Sequence, residues 1–336
     1  MPKTPVLMYH RFDAKPGDEP SEYKVSLDEF DAHLEALFNA GFTLVSLEEW
    51  LSGTWHIPAG RRPLVLTIDD LFYGDQISLD SDGQPADYSG IGRLWAFSQS
   101  HPAFGFAAAL FYNFGDKPYA NSHTGGTFSV VDGWRHDRAE AIAWGLEHGA
   151  VPMNHFYSHP YLNTLSPEEI EAQLVDNDMA LRDALALIGR QDLEADLPNI
   201  LALPYVVWPE TEAGKDVLFD YVSPEGLPVA GIVEGDYAGS ARFLPAPFSP
   251  EFDWKHIPRL VTNQAAIDIL LGRLDEIPTV SYCNLGNFAL DPDLDPEQLS
   301  KAILSVIGTG KCHEGIYQVE NFAFRAADGE AVQIAP

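Results

Sequence analysis

The chain has 336 residues, 46% of them apolar, enough to bury the core of one large α/β domain. Asp and Glu number 50 against 20 Lys and Arg, and the formal net charge of −30 repels nucleic acid and anionic membranes. No apolar run approaches the ~18 residues of a membrane helix, so no membrane insertion is expected. The acidic excess suits a neutral or cationic substrate, in an ordinary acidic enzyme or in a saline medium that screens self-repulsion. The opening MPKTPVLMYHRF has no secretory apolar stretch, because His10 and Arg11 interrupt it. That leaves a cytoplasmic location, or a secreted or periplasmic one after removal of a leader. The two cysteines, Cys283 and Cys312, form no zinc-type cluster, and a disulfide between them is not expected. Nothing in the sequence fixes an oligomeric state.

The predicted elements alternate. PVLMYH is a buried strand. SLDEFDAHLEALFNAGF is a helix with Ser26 as N-cap and Glu29 three residues on; Phe30, Leu34, Leu37 and Phe38 recur at helical spacing, and Gly41 marks its stop. TLVS and the short SLEEWL follow. LVLTIDD, residues 64–70, is a β-branched run ending in two carboxylates. FGFAAALFYN reads as a strand, HDRAEAIAWGLEHG as a helix and VPMNHFY as a strand. SPEEIEAQLVDNDMALRDALALIG is a long helix capped by Ser166 and Glu169, and NILALPY is a further strand. After about residue 222 the pattern loosens into Pro- and Gly-rich loops, with candidate strands PVAGIVE, RLVTN and TVSYCN. GIYQVENFAFRAADGEAVQI predicts two antiparallel strands around a turn near Asp328-Gly329. We read the whole chain, 1–336, as one domain with a C-terminal β elaboration.

Strands that alternate with helices and run almost wholly apolar are parallel strands covered on both faces. The polar residues His10, Asp69, Asp70, His155 and Tyr205 fall at the carboxyl ends of several different strands, which favours a (β/α) barrel over an open sheet with one switch point. No glycine-rich phosphate loop of either common nucleotide-binding type is present.

Two constellations carry chemistry. Adjacent carboxylates ending an apolar strand, Asp69 and Asp70, are costly unless solvated, paired or bound to a cation. Strand neighbours point to opposite faces, but where the chain turns both can reach one pocket, one as a ligand and one as a base. Alone, the pair also reads as a solvated strand-to-loop junction. His155 and His159 in NHFYSHPYL lie four apart past a strand, and Pro160 keeps His159 out of α conformation. Two imidazoles and a carboxylate hold a divalent cation with a position left for water, although a surface histidine plus a buried one would look the same.

In these stretches the chain resembles the polysaccharide deacetylases of carbohydrate esterase family 4, the NodB-homology group. PVLMYHRF with VSLDEFDAHLEALFNAGFTLVSLEEWL resembles that family's opening strand, helix and strand; LVLTIDD its TFDD motif; NHFYSHPYL its HxxxHP motif. The likeness spans residues 5–207 and leaves 222–336 divergent. It implies a deformed (β/α) barrel and a metal-dependent hydrolase that removes N-acetyl groups from a glycan or amino sugar. By resemblance, Asp70, His155 and His159 are the ligands of a divalent metal, zinc first, with cobalt, nickel or manganese as alternatives. Asp69 is then the base, and the backbone N–H of Tyr205 in LALPYV the oxyanion donor; Tyr205 also reads as a core aromatic at a strand end.

Several positions depart from the family. Leu71 stands where a glycine usually follows the Asp pair, so the loop there runs differently. That loop, FYGDQISLDSDGQPADYSG, is long, holds Asp75, Asp80, Asp82 and Asp87, and reads as a groove wall or lid. Phe156 replaces a Ser or Thr. Ala202 replaces an Arg that positions the base, so that Arg is missing or comes from elsewhere. The late Leu-His element that supplies a general acid has no clear equivalent; His10, His256 and His313 are the remaining histidines of interest, Asp253-Trp254 weakly resembles the element that supports it, and Arg259 in IPRL resembles a late element of some members. Phe12, Phe72, Tyr73, Tyr88, Tyr157, Tyr161, Trp208 and Trp254 lie close to the motifs and read equally as sugar-stacking or core aromatics. Two other functions fit the same residues: an amide or formyl hydrolase of a small non-glycan molecule, or a non-catalytic glycan-binding relative.

Overall fold

The apolar runs become strands, and the amphipathic segments become helices packed outside them. The computed structural model describes residues 3–15, 21, 23–52, 55, 57–58, 60–71, 74–115, 120–121, 129–130, 133–236, 242–245, 252–277, 279, 295–308, 315–319, 322–327 and 330–335. The chain begins with β1 (Val6–Tyr9), α1 (Leu27–Asn39), β2 (Phe42–Leu44), α2 (Leu47–Ser52), β3 (Arg62–Asp69), α3 (Gly90–Ser100) and β4 (Ala108–Tyr112). Next come β5 (Ala120–Asn121), β6 (Ser129–Val130), α4 (Trp134–His148), β7 (Ala150–Asn154), α5 (Pro167–Leu187), β8 (Ile200–Ala202) and α6 (Glu212–Asp220). It ends with β9 (Gly231–Asp236), β10 (Ile257–Val261), α7 (Gln264–Leu271), α8 (Pro296–Gly308), β11 (Gly315–Val319), β12 (Phe322–Ala327) and β13 (Glu330–Ala335).

Seven strands pair in parallel in the order β1-β3-β4-β7-β8-β9-β10, and β10 pairs back to β1, closing a barrel. β2 adds to the amino-terminal part of β3. The fold is therefore the (β/α) barrel that the polar strand ends predict. The ring closes only with β9 and β10, which lie past residue 222, where the alternation loosens. β11, β12 and β13 form a separate antiparallel sheet of three strands, one more than the predicted pair. The predicted turn at Asp328-Gly329, most of the candidate strand TVSYCN and both cysteines lie outside the described residues.

Every barrel strand contributes to a single buried cluster that fills the interior: Val6, Val65, Met153, Val233 and Ile257 singly, and Ala109 with Phe111 and Ile200 with Ala202 in pairs. The alternate residues, such as Leu7, Leu66 and Leu110, pack outward under Phe30, Leu34 and Leu37 of α1 and Ile91 and Leu94 of α3. Leu201 and Ile232 pack outward under Ile170 and Leu174 of α5 and Leu218 of α6. Both faces of each strand are thus dry, which is why the runs are apolar without alternation. Moving two residues at a time along an interior face leads from Val6 to Met8 and His10, from Val65 to Thr67 and Asp69, from Met153 to His155, and from Ile257 to Arg259. The barrel lumen is apolar below and polar at its carboxyl mouth.

The caps match the sequence pattern. The Ser26 side chain accepts from the Glu29 N–H at the start of α1, and Ser166 and Glu169 form a reciprocal capping box on α5. The pattern does not reveal α3, α6, α7 or α8. α3 opens on Gly90 and Gly92, poor helix formers. Gly92 is there because a Cβ would lie 1.8 Å from the Ala86 carbonyl oxygen, so the helix docks against backbone. α7 has only eight residues, too short for a clear period.

Candidate active site

Asp69 ends β3 inside the barrel and is 2% exposed. Arg259, on the interior face of β10 and 1% exposed, grips it with two parallel bonds: Nη1 donates to Oδ1 at 2.5 Å and Nη2 to Oδ2 at 2.7 Å. Nη1 also donates to Thr67 Oγ1 at 3.0 Å, and the guanidinium lies over the Phe111 ring. Burial pushes the Asp69 carboxyl up, but Arg259, helped by His155 and His10, reverses this and holds its pKa at about 2. Asp69 is therefore ionised across the physiological range. An arginine does reach Asp69, although position 202 holds Ala: it comes from a strand 190 residues along the chain.

At Asp70 the strand ends in a left-handed turn, φ 60, which swings its carboxylate to the mouth beside Asp69. The positive φ falls on Asp70 itself and not on Leu71, which is buried. Asn113, just past β4, donates to Asp70 Oδ1 at 2.9 Å. His159 Nε2 lies 3.4 Å from the same oxygen and His155 Nε2 3.8 Å from it. His155 Nδ1 sits 2.9 Å from the Ala202 carbonyl oxygen, which can only accept. Nδ1 therefore carries the hydrogen, and Nε2 turns its lone pair toward Asp70.

One donor atom from each of Asp70, His155 and His159 falls within 4.8 Å of the others. Two ligands about 2.1 Å from a tetrahedral cation lie about 3.4 Å apart, so the spacing and the N,N,O donor set fit a divalent first-row ion. A second grouping, His136, Asp137 and Glu140, is wholly exposed on α4, where solvation alone accounts for it.

All five non-glycine residues with positive φ among the described residues, namely Asp70, Phe156, His159, Tyr205 and Val206, lie in the loops that carry this site. Such backbone persists only where its surroundings over-determine it. At Phe156 the constraint comes from a buried polar network. Asn154, the last residue of β7, accepts from the Phe156 N–H at 2.9 Å and donates to Leu174 O and to Asp178 Oδ1. Asn177, fully buried, donates to Tyr112 O and Asn154 Oδ1 and accepts from the Phe114 N–H. Tyr112 and Tyr221 both donate to the Asp178 carboxylate, whose pKa burial raises. α5 thereby fixes the ends of β4 and β7. The sequence held a signal for this: Asn177 and Asp178 stand in the apolar stripe Ile170, Leu174, Leu181 and Leu185, where a polar residue must be satisfied. Asn177→Leu is expected to strand the buried Phe114 N–H and to remove one of the two bonds at Tyr112 O and at Asn154 Oδ1, at a cost of about 2 kcal/mol of stability, measured by urea unfolding; a loss under about 0.5 kcal/mol would show that the network does not brace the loops.

The remaining site residues separate. Tyr205 follows β8 in a left-handed turn, φ 54, and its N–H donates to no acceptor among the described residues. Its ring lies 4.3 Å from that of His159. His10 sits at the mouth beside Asp69: one Gln76 amide donates to the carbonyl oxygens of both, at 2.7 and 2.6 Å. Burial lowers the His10 pKa against the pull of Asp69 and Asp70. His256 and Trp254 precede β10 and stand at the amino end of that strand. His256 packs on Trp208 and lies 3.5 Å from Glu234, and Trp254 packs on Phe219. His313 lies outside the described residues, as do Phe72 and Tyr73.

The start of the long loop is a tether. Asp75, 3% exposed, accepts from Arg11 Nε and the Phe12 N–H, while Asp80 accepts from Asp82 and Gln84 N–H groups in an exposed turn. Phe12 is a core residue, whereas Tyr161 is 53% exposed.

A closed parallel (β/α) barrel with carboxylates and imidazoles gathered at its carboxyl mouth is the class that fold and site define. No family model and no curated protein matches the sequence. Among solved structures, a polysaccharide deacetylase from Bacillus cereus matches at 16% identity and a TM-score of 0.50, over 80% of this chain and 68% of that one. A deacetylase from Streptococcus pyogenes in complex with acetate matches at 17% identity and TM-score 0.49, over 81% of this chain and 98% of that one. IcaB from Ammonifex degensii gives 17% and 0.49, over 81% and 97%. At such identity the likeness establishes the fold.

Proposed function

We propose that the chain is a divalent-metal-dependent hydrolase that removes N-acetyl groups from a glycan or amino sugar. The observation that carries this reading is the convergence of Asp70, His155 and His159 beside a base held by Arg259. The fold shared with the Bacillus cereus polysaccharide deacetylase supports it. The whole chain, 1–336, is read as one catalytic domain, with β11–β13 as an elaboration.

Asp70, His155 and His159 would hold the cation, with zinc the first expectation for two imidazoles and a carboxylate. A cation bound there lowers the pKa of an adjacent water toward about 7 and polarises an acetamide carbonyl. Asp69, ionised and oriented by Arg259, takes the proton of the attacking water. The unpaired Tyr205 N–H donates to the oxyanion as the carbonyl carbon becomes tetrahedral, a contribution of about 3 kcal/mol in comparable sites. His10, level with Asp69 at the mouth, is the side chain we assign to return a proton to the departing amine. The negative surface does not repel a neutral acetylated glycan and favours the amine product no less.

The test is acetate release from N-acetylated chito-oligosaccharides with zinc, cobalt, nickel or manganese supplied after chelation. Turnover that a chelator abolishes and a divalent ion restores is expected. Full activity in the chelator-treated, metal-free protein would remove the metal from the reading, and no acetate under any ion would remove the substrate. His155→Ala is expected to weaken metal binding beyond the ~10–100-fold typical of losing an outer partner, read by metal analysis after dialysis. Equal metal content in His155→Ala and wild type would refute the ligand assignment.

A further inference from the structure

We infer that Asn113 is a positioning residue for the cation: it sets which oxygen of Asp70 faces His155 and His159, at a cost to the stability of the fold, an assignment that rests on the metal reading above.

Asn113 follows Ala109 and Phe111 along the interior face of β4, and β4 lies between β3, which ends at Asp69, and β7, which leads into His155. The amide therefore stands at the barrel mouth between the strands that carry the two motifs. Its Nδ2 donates to Asp70 Oδ1 at 2.9 Å. The same oxygen lies 3.4 Å from His159 Nε2 and 3.8 Å from His155 Nε2. One hydrogen bond thus falls on the carboxylate oxygen that both imidazoles face. The Asn113 backbone is clamped on either side. Tyr112 O accepts from the His155 N–H and from Asn177, each at 2.8 Å, and the Phe114 N–H donates to Asn177 Oδ1 at 2.9 Å. Asp70, by contrast, stands in a left-handed turn with its side chain 30% exposed, so burial alone does not choose between its two oxygens.

The other end of the amide points to function and away from folding. Asn113 is 1% exposed, and its Oδ1 has no hydrogen-bond partner among the described residues. A buried acceptor left without a donor costs stability, and an apolar side chain at this position would carry no such cost. Water can take the place of the amide on the exposed carboxylate of Asp70. The fold therefore does not need Asn113, whereas a preset ligand does: hydrogen bonds of this kind orient ligating groups before an ion arrives. The donor is also neutral. Arg259 holds Asp69 with a full positive charge, which suits a base that must stay ionised. A guanidinium on Asp70 Oδ1 would oppose a divalent ion at the same oxygen, and an amide orients that oxygen without a competing charge.

The test compares wild type, Asn113→Leu and Asn113→Ala in two measurements: zinc affinity by competition with a coloured chelator, and urea unfolding of the metal-free protein. Asn113→Leu is expected to weaken zinc binding about 10–100-fold, the loss typical of an outer partner, while its unfolding midpoint stays at or above that of wild type. That combination is the opposite of what a structural residue gives. Equal zinc affinity in wild type and variant overturns the assignment. So does a loss of affinity that comes with a clearly lower midpoint, because Asn113 would then be a brace of the fold. Should Asn113→Leu not fold, Asn113→Ala removes the same donor without bulk and decides by affinity: about tenfold weaker binding supports the assignment, and unchanged binding overturns it. A wild type that binds neither zinc, cobalt, nickel nor manganese fails the metal reading and Asn113 with it, whereas equal affinities in wild type and variant overturn Asn113 alone.

Discussion

Asp69→Asn is expected to lower kcat by at least about 10³-fold while metal content stays at the wild-type level. The amide has the shape of the carboxylate but cannot take a proton from water. Asp69 is not one of the three clustered side chains proposed to hold the cation; its Oδ2 lies 3.8 Å from His155 Nε2, and its oxygens are committed to Arg259. The substitution therefore separates the proposed base from the proposed cation site. It also leaves Arg259 buried without its counter-charge, so a thermal melt must accompany the kinetics. A folded variant with bound metal and no turnover is the expected result. Retained turnover would move the base elsewhere, and lost metal would make Asp69 a ligand.

The parts of this site legible in the sequence are those that break a local pattern. Asp69 and Asp70 interrupt an apolar run, and His155 and His159 do the same four residues apart. Polar groups at the ends of otherwise dry strands have few explanations, and their scatter over several strands points to a barrel rim. Arg259 breaks no such pattern. It sits in a short strand of a Pro- and Gly-rich stretch, and only closure of the ring by β10 against β1 brings it under Asp69. A pairing over 190 residues has no local signature. In the loop after Asp70, read as a groove wall or a lid, the carboxylates do not all face water: Asp75 is buried and ties the loop to Arg11 and Phe12. Composition does not distinguish an acid that faces water from one that anchors a backbone N–H. α3 was hidden for a related reason, since Gly92 meets a steric demand of tertiary packing at the expense of helix propensity.

Arg259→Met should then be the most destabilising single change at the site, by about 3–5 kcal/mol at neutral pH. Methionine fills comparable space but leaves the Asp69 carboxylate buried and uncompensated. The pH dependence gives the sign. In wild type the Asp69 pKa is held at about 2, below the ~3.9 of an unfolded chain, so the pair stabilises the fold above about pH 4 and loses that contribution as pH falls toward 2. Without the guanidinium, burial dominates and raises the pKa, so the carboxyl takes up a proton at a higher pH and the penalty fades on acidification. The gap between wild type and Arg259→Met, followed by denaturant unfolding in the presence of a chelator, should therefore be widest at neutral pH and narrow toward pH 3. Adding Asp69→Asn to Arg259→Met should recover part of the loss, because the amide needs no counter-charge. Arg259→Lys keeps the charge but not the two-pronged grip on Oδ1 and Oδ2, and should restore stability more than turnover. A gap that stayed constant from pH 7 to pH 3, with no recovery in the double variant, would mean that Arg259 acts through packing on Phe111 and not through the charge of Asp69.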